Sequence, residues 1–162
     1  MTRSFVSLGS NLGDRLGYLR AAVEALGRGP LLEVRGVSKV YETEPVEVEG
    51  EQPDYLNCVV EVQCEAPAGE LLRFCQGVEA ALGRTGKGYR LPRTVDIAIL
   101  LFGEEVIVGP YLEVPHPGKL RAFNLEGIAD LAPGVFVPGR GAVRGLLAGA
   151  DSSGVREFGE CL

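Results

Sequence analysis

Leu91-Pro92-Arg93-Thr94-Val95-Asp96-Ile97-Ala98-Ile99-Leu100-Leu101-Phe102-Gly103 reads as an apolar strand closed by a glycine turn. It carries an arginine and an aspartate that a sheet does not require. Period-two alternation predicts Val95, Ile97, Ile99 and Leu101 on one face, with Asp96, Ala98 and Leu100 on the other. A carboxylate inside such a strand is costly unless it is paired, hydrogen-bonded or bound to a cation. Two readings follow. One is an Asp96–Arg93 ion pair at the strand entrance; the other is a metal-binding acid beside a phosphate-binding arginine.

Upstream, Phe5 to Leu8 reads as a short strand closed by the turn Gly9-Ser10-Asn11-Leu12-Gly13-Asp14. Helical spacing of Leu16, Leu19, Ala22, Val23 and Leu26 predicts a helix from Arg15 to Leu26, with Asp14 as N-cap and Gly27 as stop. Leu32 to Tyr41 alternates loosely as a second strand, residues 44–54 form a loop, and Tyr55 to Cys64 is a third strand. Pro67 opens a second helix that runs to Gly83. The basic loop Arg84 to Arg90 leads into the strand quoted above. A short extended piece, Tyr111 to Val114, then reaches Pro115-His116-Pro117; a helix over Phe123 to Leu131 stops at Pro133, and Ala142 to Leu147 adds a helical turn. The order strand–helix–strand–strand–helix–strand predicts one α+β domain over residues 1–162, a ferredoxin-like sandwich. Its antiparallel sheet would carry helices on one face and a ligand cleft on the other, covered by the loops at 44–54 and 84–92.

A net charge of −6 over 162 residues excludes a general nucleic-acid binder, which needs a broad basic face. Arg84, Lys87, Arg90 and Arg93 within ten residues of an acidic chain point to a confined anionic ligand instead. Cys58, Cys64, Cys75 and Cys161 show no CxxC spacing and His116 is the sole histidine, so buried thiols in a reducing cytoplasm are expected rather than a zinc site. The first residues show no apolar run of signal-peptide or membrane-span length, and a cytoplasmic protein without a membrane partner is expected. The turn at 9–14 lacks the GK[ST] of a phosphate loop and reads as a tight strand-to-helix connection.

Tyr55 and Asn57 share a strand face by parity. A flat apolar ring beside a side chain with both donors and acceptors suits a planar heteroaromatic with amide-like edges; a cross-strand aromatic with a turn-forming asparagine is the plainer alternative. His116 between prolines reads as a structural loop residue, and Arg121 and Phe123 just beyond it could bring a charge and an aromatic over the same sheet face.

Ser7-Leu8-Gly9-Ser10-Asn11-Leu12-Gly13-Asp14, Tyr41-Glu42-Thr43-Glu44-Pro45-Val46, Gln52-Pro53-Asp54-Tyr55-Leu56-Asn57, Pro92-Arg93-Thr94-Val95-Asp96-Ile97 and Val114-Pro115-His116-Pro117 occur in that order. Together they resemble the 6-hydroxymethyl-7,8-dihydropterin pyrophosphokinases of folate biosynthesis, from about Phe5 to Pro138. The resemblance implies transfer of pyrophosphate from ATP to the pterin hydroxymethyl group with two Mg²⁺ ions, and a monomer is favoured. It implies that Tyr55 and Phe123 sandwich the pterin, while Asn57 and backbone groups near Thr43, Pro45 and Val46 read its edge. Leu72, Gln76 and Glu79, with the Ile99 backbone at adenine, would surround the nucleotide. Arg84, Arg93, His116 and Arg121 would hold the phosphates, and Asp96 the metal.

Against the family pattern, Asp-x-Asp on the last strand is here Asp96-Ile97-Ala98, and a methyl group cannot ligate magnesium. The basic loop and the His116–Arg121 segment are each a residue shorter than the family pattern, and no tryptophan is present. Three outcomes stay open: water or ATP oxygens complete the metal shell in a slower enzyme, another acid substitutes (Glu61 shares the face of Asn57 by parity), or the chain binds ligand without turnover.

Overall fold

The computed structural model describes residues 1–45, 51–83, 94–160 and 162. Its elements are β1 (Thr2–Ser10), α1 (Arg15–Gly27), β2 (Leu32–Val37), β3 (Tyr41–Thr43), β4 (Tyr55–Cys64), α2 (Ala68–Ala81), β5 (Asp96–Phe102), β6 (Ile107–Val108), β7 (Glu113–Val114), α3 (Ala122–Leu131), β8 (Phe136–Val137), β9 (Gly141–Ala142), α4 (Val143–Ala148) and β10 (Val155–Glu157). The main sheet runs β10-β3-β4-β1-β5, with β2 also paired to β4. Every pairing in it is antiparallel. β2 and β3 lie along successive parts of β4, so together they act as one interrupted strand in the ferredoxin-like order β2/β3-β4-β1-β5.

The interruption has a local cause. A bulge between Val34 and Gly36 shifts the register of β2. Ser38 then patches the ladder: its N–H donates to the Val59 carbonyl at 2.8 Å, and its hydroxyl accepts from the Val59 N–H at 2.8 Å. A single strand over 32–41 is therefore corrected to two. The helix starts follow their sequence signals, but Gly27 is not a stop: it is the last residue of α1, and Arg28 at φ −89° caps the helix. Asp14 caps α1 by accepting from the Gly17 N–H at 3.0 Å, and Gly83, at φ +86°, follows the end of α2.

One face of the sheet packs Val6, Leu8, Leu56, Cys58, Val60, Val62, Ile97 and Ile99 against Leu19, Leu26, Leu71 and Cys75 of α1 and α2. Part of the opposite face is also covered: Phe5, Val59, Leu100 and Leu101 pack against Leu125 and Ile128 of α3 and Val143 of α4. The α3 backbone comes so close that a Cβ on Gly127 would lie 2.3 Å from Val59 Cγ2. Leu101 thus joins Leu100 on this side rather than Ile99. A register shift between Phe5 and Val6 makes Val6 face Ile99 and Phe5 face Leu101, so Leu100 is the extra residue of a bulge. Helices consequently lie on both faces; α3 and α4 cover Phe5, Val59, Leu100 and Leu101, while Tyr55, Asp96 and Ala98 on the second face are partly exposed among the described residues.

Candidate active site

Three strands, β4, β1 and β5, bring these residues into one row. Gly9 of β1 faces Asn57 of β4 on one side and Asp96 of β5 on the other; one step along, Ser7 faces Val59 and Ala98. β5 begins at Asp96, which is partly exposed, so this carboxylate stands at the N-terminal end of the strand. Directly opposed residues on antiparallel strands lie about 5 Å apart, which places the Asp96 and Asn57 backbones about 10 Å from one another. Glycine at the centre of this row is dictated by contact: a Cβ on Gly9 would lie 2.9 Å from Asn57 Oδ1 and 3.4 Å from Tyr55 Cδ1. Those two distances also fix Tyr55 and Asn57 on the same face.

Asn57 is buried, and its Nδ2 donates to Thr43 Oγ1 at 2.8 Å. Thr43, also buried, faces Tyr55 across the β3–β4 ladder. The amide thereby keeps one N–H and its oxygen for other partners. Pro45 follows at the end of the described segment; Val46, Arg84 and Arg93 lie outside the described residues, as does the Asp96–Arg93 pairing. Phe123 sits half-buried in the first turn of α3, and Arg121 is the exposed residue preceding that helix.

Beyond the open edge of β5, a cleft of about 300 Å³ is lined by Leu72 of α2, by Ile97, Ala98 and Ile99, and by the segment 109–119 with Glu113, His116 and Lys119. The backbone at this edge has a defined chemistry. Ile97 sends its N–H away from β1 to Glu79 Oε2 at 2.8 Å, a buried contact that satisfies an edge strand with an acid from α2. Ile99 has the same parity on the ladder, so its N–H and C=O also face the cleft. Gln76 is exposed on α2, one turn after Leu72 and three residues before Glu79.

His116 Nδ1 accepts from the Gly118 N–H at 2.9 Å. A neutral imidazole holding its lone pair there carries its proton on Nε2, and Nε2 lies 3.8 Å from Glu113 Oε1. The ring is therefore set as an N–H donor at the cleft wall. The loop behind it is fastened by Asn124, a buried residue whose Nδ2 donates to the Lys119 carbonyl at 2.8 Å. Glu61, the acid weighed as a substitute metal ligand, is not near Asp96: it faces Phe5, lies past Val59 along β4, and accepts from Arg3 at 3.0 and 3.3 Å. Parity alone placed it on the right face but at the wrong end. Sequence reading also passed over Glu113 and Lys119, because a two-residue strand and a single short turn carry no periodic signal.

The 7,8-dihydro-6-hydroxymethylpterin-pyrophosphokinase (HPPK) family model matches residues 5–133. The chain belongs to the HPPK family. It is similar to the 2-amino-4-hydroxy-6-hydroxymethyldihydropteridine pyrophosphokinase of Bacillus subtilis, with 40% identity over 159 residues, 96% of this chain and 95% of that protein. The enzyme of the same name in Pseudomonas aeruginosa is 36% identical over 157 residues, 96% of each chain. Among solved structures, the wild-type HPPK-DHPS of Plasmodium falciparum with pterin and p-hydroxybenzoate superposes with a TM-score of 0.68 at 14% identity. That match covers 91% of this chain and 41% of the Plasmodium chain, and it shows the shared HPPK fold. Cys58, Cys64 and Cys75 are buried free thiols, and among the described residues no helix is long and apolar enough to cross a membrane.

Proposed function

We infer that the protein transfers the pyrophosphoryl group of ATP to the hydroxymethyl oxygen of 6-hydroxymethyl-7,8-dihydropterin, a step of folate biosynthesis. The observation that carries this is the cross-strand row Asn57–Gly9–Asp96 on the second sheet face, with Ala98 of the same strand lining the cleft of Leu72, Ile99 and His116. A flat bicycle against Tyr55, with its edge at Asn57 and its hydroxymethyl group directed toward Asp96, would meet a nucleotide whose base lies at the Ile99 edge. Phe123 closes the other side of the ring, and Thr43, Pro45 and Val46 contribute the rest of the edge. The hydroxyl oxygen attacks the β-phosphorus, the bond from that phosphorus to the oxygen bridging to the α-phosphate breaks, AMP leaves with that oxygen, and the hydroxyl proton is released to solvent.

In-line phosphoryl chemistry demands alignment and charge compensation more than a protein nucleophile. In this reading Leu72, Gln76, Glu79 and Ile99 hold the nucleoside. The His116 Nε2–H donates to a phosphate oxygen, and Arg84, Arg93 and Arg121 bind the remaining ones in bidentate fashion. Magnesium, when bound, neutralises phosphate charge and orients the transferred group. The residues fit one such ion better than two. Asp96 offers a hard oxygen donor, Ala98 beside it offers a methyl group, and among the described residues no group of three His, Cys, Asp or Glu side chains gathers around a cation.

The direct test is turnover: AMP and the pterin diphosphate should appear in equal amounts from ATP and hydroxymethyl-dihydropterin. A second reading, a pterin- and nucleotide-binding protein with slow turnover, rests on Ala98. Tight binding of both ligands without AMP above background at high Mg²⁺ would select it and reject the enzyme.

A further inference from the structure

Outside the cleft, four charged side chains converge on the segment that delivers Tyr55 to the sheet. Arg156 of β10 faces Glu42 of β3 across the ladder. Its Nε and Nη2 donate to Glu42 Oε1 at 3.1 and 2.9 Å, and Nη2 also donates to Asp54 Oδ2 at 2.7 Å. From the start of α1, Arg15 Nη1 donates to the other oxygen of Glu42 at 2.9 Å and to the Asp54 carbonyl at 2.9 Å. Asp54 is therefore held by both its side chain and its backbone, immediately before Tyr55. The preceding residues are fastened as well: Asn11, buried at the end of β1, donates from Nδ2 to Gln52 Oε1 at 3.1 Å and to the Pro53 carbonyl at 3.3 Å.

We propose that Arg156, acting with Arg15 through Glu42 and Asp54, is a positioning residue for the pterin-stacking ring of Tyr55. The proposal rests on the pterin reading of the site. Two arginines and two carboxylates cancel, so the quartet adds no net charge to the cleft and its role is geometric. Glu42 and Asp54 are 19% and 32% exposed, whereas Arg156 is 51% exposed. Ion pairs at such exposure contribute little to global stability, yet they hold Asp54, the residue before Tyr55, at its side chain and carbonyl. Glu42 points away from the ligand face, because its neighbours Tyr41 and Thr43 face Asn57 and Tyr55. Arg156 thus touches neither substrate and works through the chain. β10 also lies beyond the residues matched by the family model, so this anchor is supplied by the C-terminal part of this chain.

The test measures calorimetric affinity for 6-hydroxymethyl-7,8-dihydropterin and for a non-hydrolysable ATP analogue in wild type, Arg156→Ala, Asp54→Asn and the double variant, with melting temperatures. Each single change is expected to weaken pterin binding at least fivefold, leave nucleotide affinity within twofold, and lower the melting temperature by no more than about 3 °C. The double variant should be no weaker than the worse single, since both remove the Arg156–Asp54 ion pair, and Arg156→Lys should recover part of the loss. Pterin affinity unchanged in Arg156→Ala and Asp54→Asn overturns the proposal and leaves the function standing. Equal loss of both ligands overturns it in favour of a merely structural role. Wild-type protein that binds no pterin defeats the reading of the site itself. If Arg156→Ala does not fold, Asp54→Asn decides alone, because it keeps both arginines on Glu42.

Discussion

Replacing Gly9 by alanine perturbs the centre of the site with one added carbon whose three nearest neighbours are known. The new Cβ would lie 2.9 Å from Asn57 Oδ1, 3.4 Å from Tyr55 Cδ1 and 3.7 Å from Tyr55 Cε1. Comfortable contact requires the amide to retreat by about 0.5 Å. Asn57 resists, because its Nδ2 is bonded to Thr43 Oγ1 at 2.8 Å in a buried setting. Breaking that bond and leaving its groups unpaired costs about 1–3 kcal/mol, offset by about 0.4–1 kcal/mol from the stiffer unfolded chain. The net is about 1–2 kcal/mol, which lowers the melting temperature of a domain this size by about 2–8 °C. An Asn57 amide displaced from the pterin edge forfeits one hydrogen bond, or roughly tenfold in affinity. Differential scanning fluorimetry and pterin calorimetry read the two effects, with ATP-analogue affinity as the control. Full pterin affinity together with an unchanged melting temperature would refute the claim that Gly9, Asn57 and Tyr55 share one crowded face.

Ala98→Asp restores a second carboxylate on the face of Asp96 and is expected to raise turnover at least tenfold and lower the Mg²⁺ concentration for half-maximal rate; an unchanged Mg²⁺ dependence removes position 98 from the metal site. Burial pushes the Cys58 and Cys75 thiols up to about 12, with Glu79 adding to the effect on Cys75. Both are protonated in folded and unfolded chains at pH 7, but above about pH 9 only the unfolded chain ionises them, so their stabilisation is full below pH 9 and is lost toward pH 12. Tyr41, raised by burial and by its 2.7 Å bond to Asp130, adds the same sign above pH 10. The urea midpoint should therefore fall between pH 9 and 10.5, and a flat midpoint contradicts the burial of these groups. Gly77→Ala, in α2 with nothing within 4 Å of the added methyl, should stabilise by about 0.5–1 kcal/mol, read as a higher melting temperature.

Element order, helix caps and the Tyr55–Asn57 face were legible because each rests on local rules: period two, a capping aspartate, a glycine stop. The bulges were not. The extra residue at Leu100 and the break at Ser38 arise from pairing with β1 and β4, and no single segment encodes its partner's register. The covering of the second face by α3 depends on Gly127, whose lack of a Cβ matters because Val59 and Ser38 lie against it. The same limit explains β10: three residues, Val155-Arg156-Glu157, show no recognisable strand pattern, and their value comes from Glu42 and Asp54, more than a hundred positions away. The cleft was read through Leu72, Ile99 and His116 because the family resemblance supplied them; Glu113 and Lys119 belong to no such motif.

The central claim is that one open sheet face holds the pterin beside the nucleotide berth, and a crystal structure with 6-hydroxymethylpterin and a non-hydrolysable ATP analogue tests it most directly. The account expects the bicycle between Tyr55 and Phe123 with its edge on Asn57, adenine against the Ile99 backbone, and the triphosphate passing Asp96 and His116. A pterin seated elsewhere, for example in the apolar groove between Leu31, Cys64 and Phe74, would contradict it.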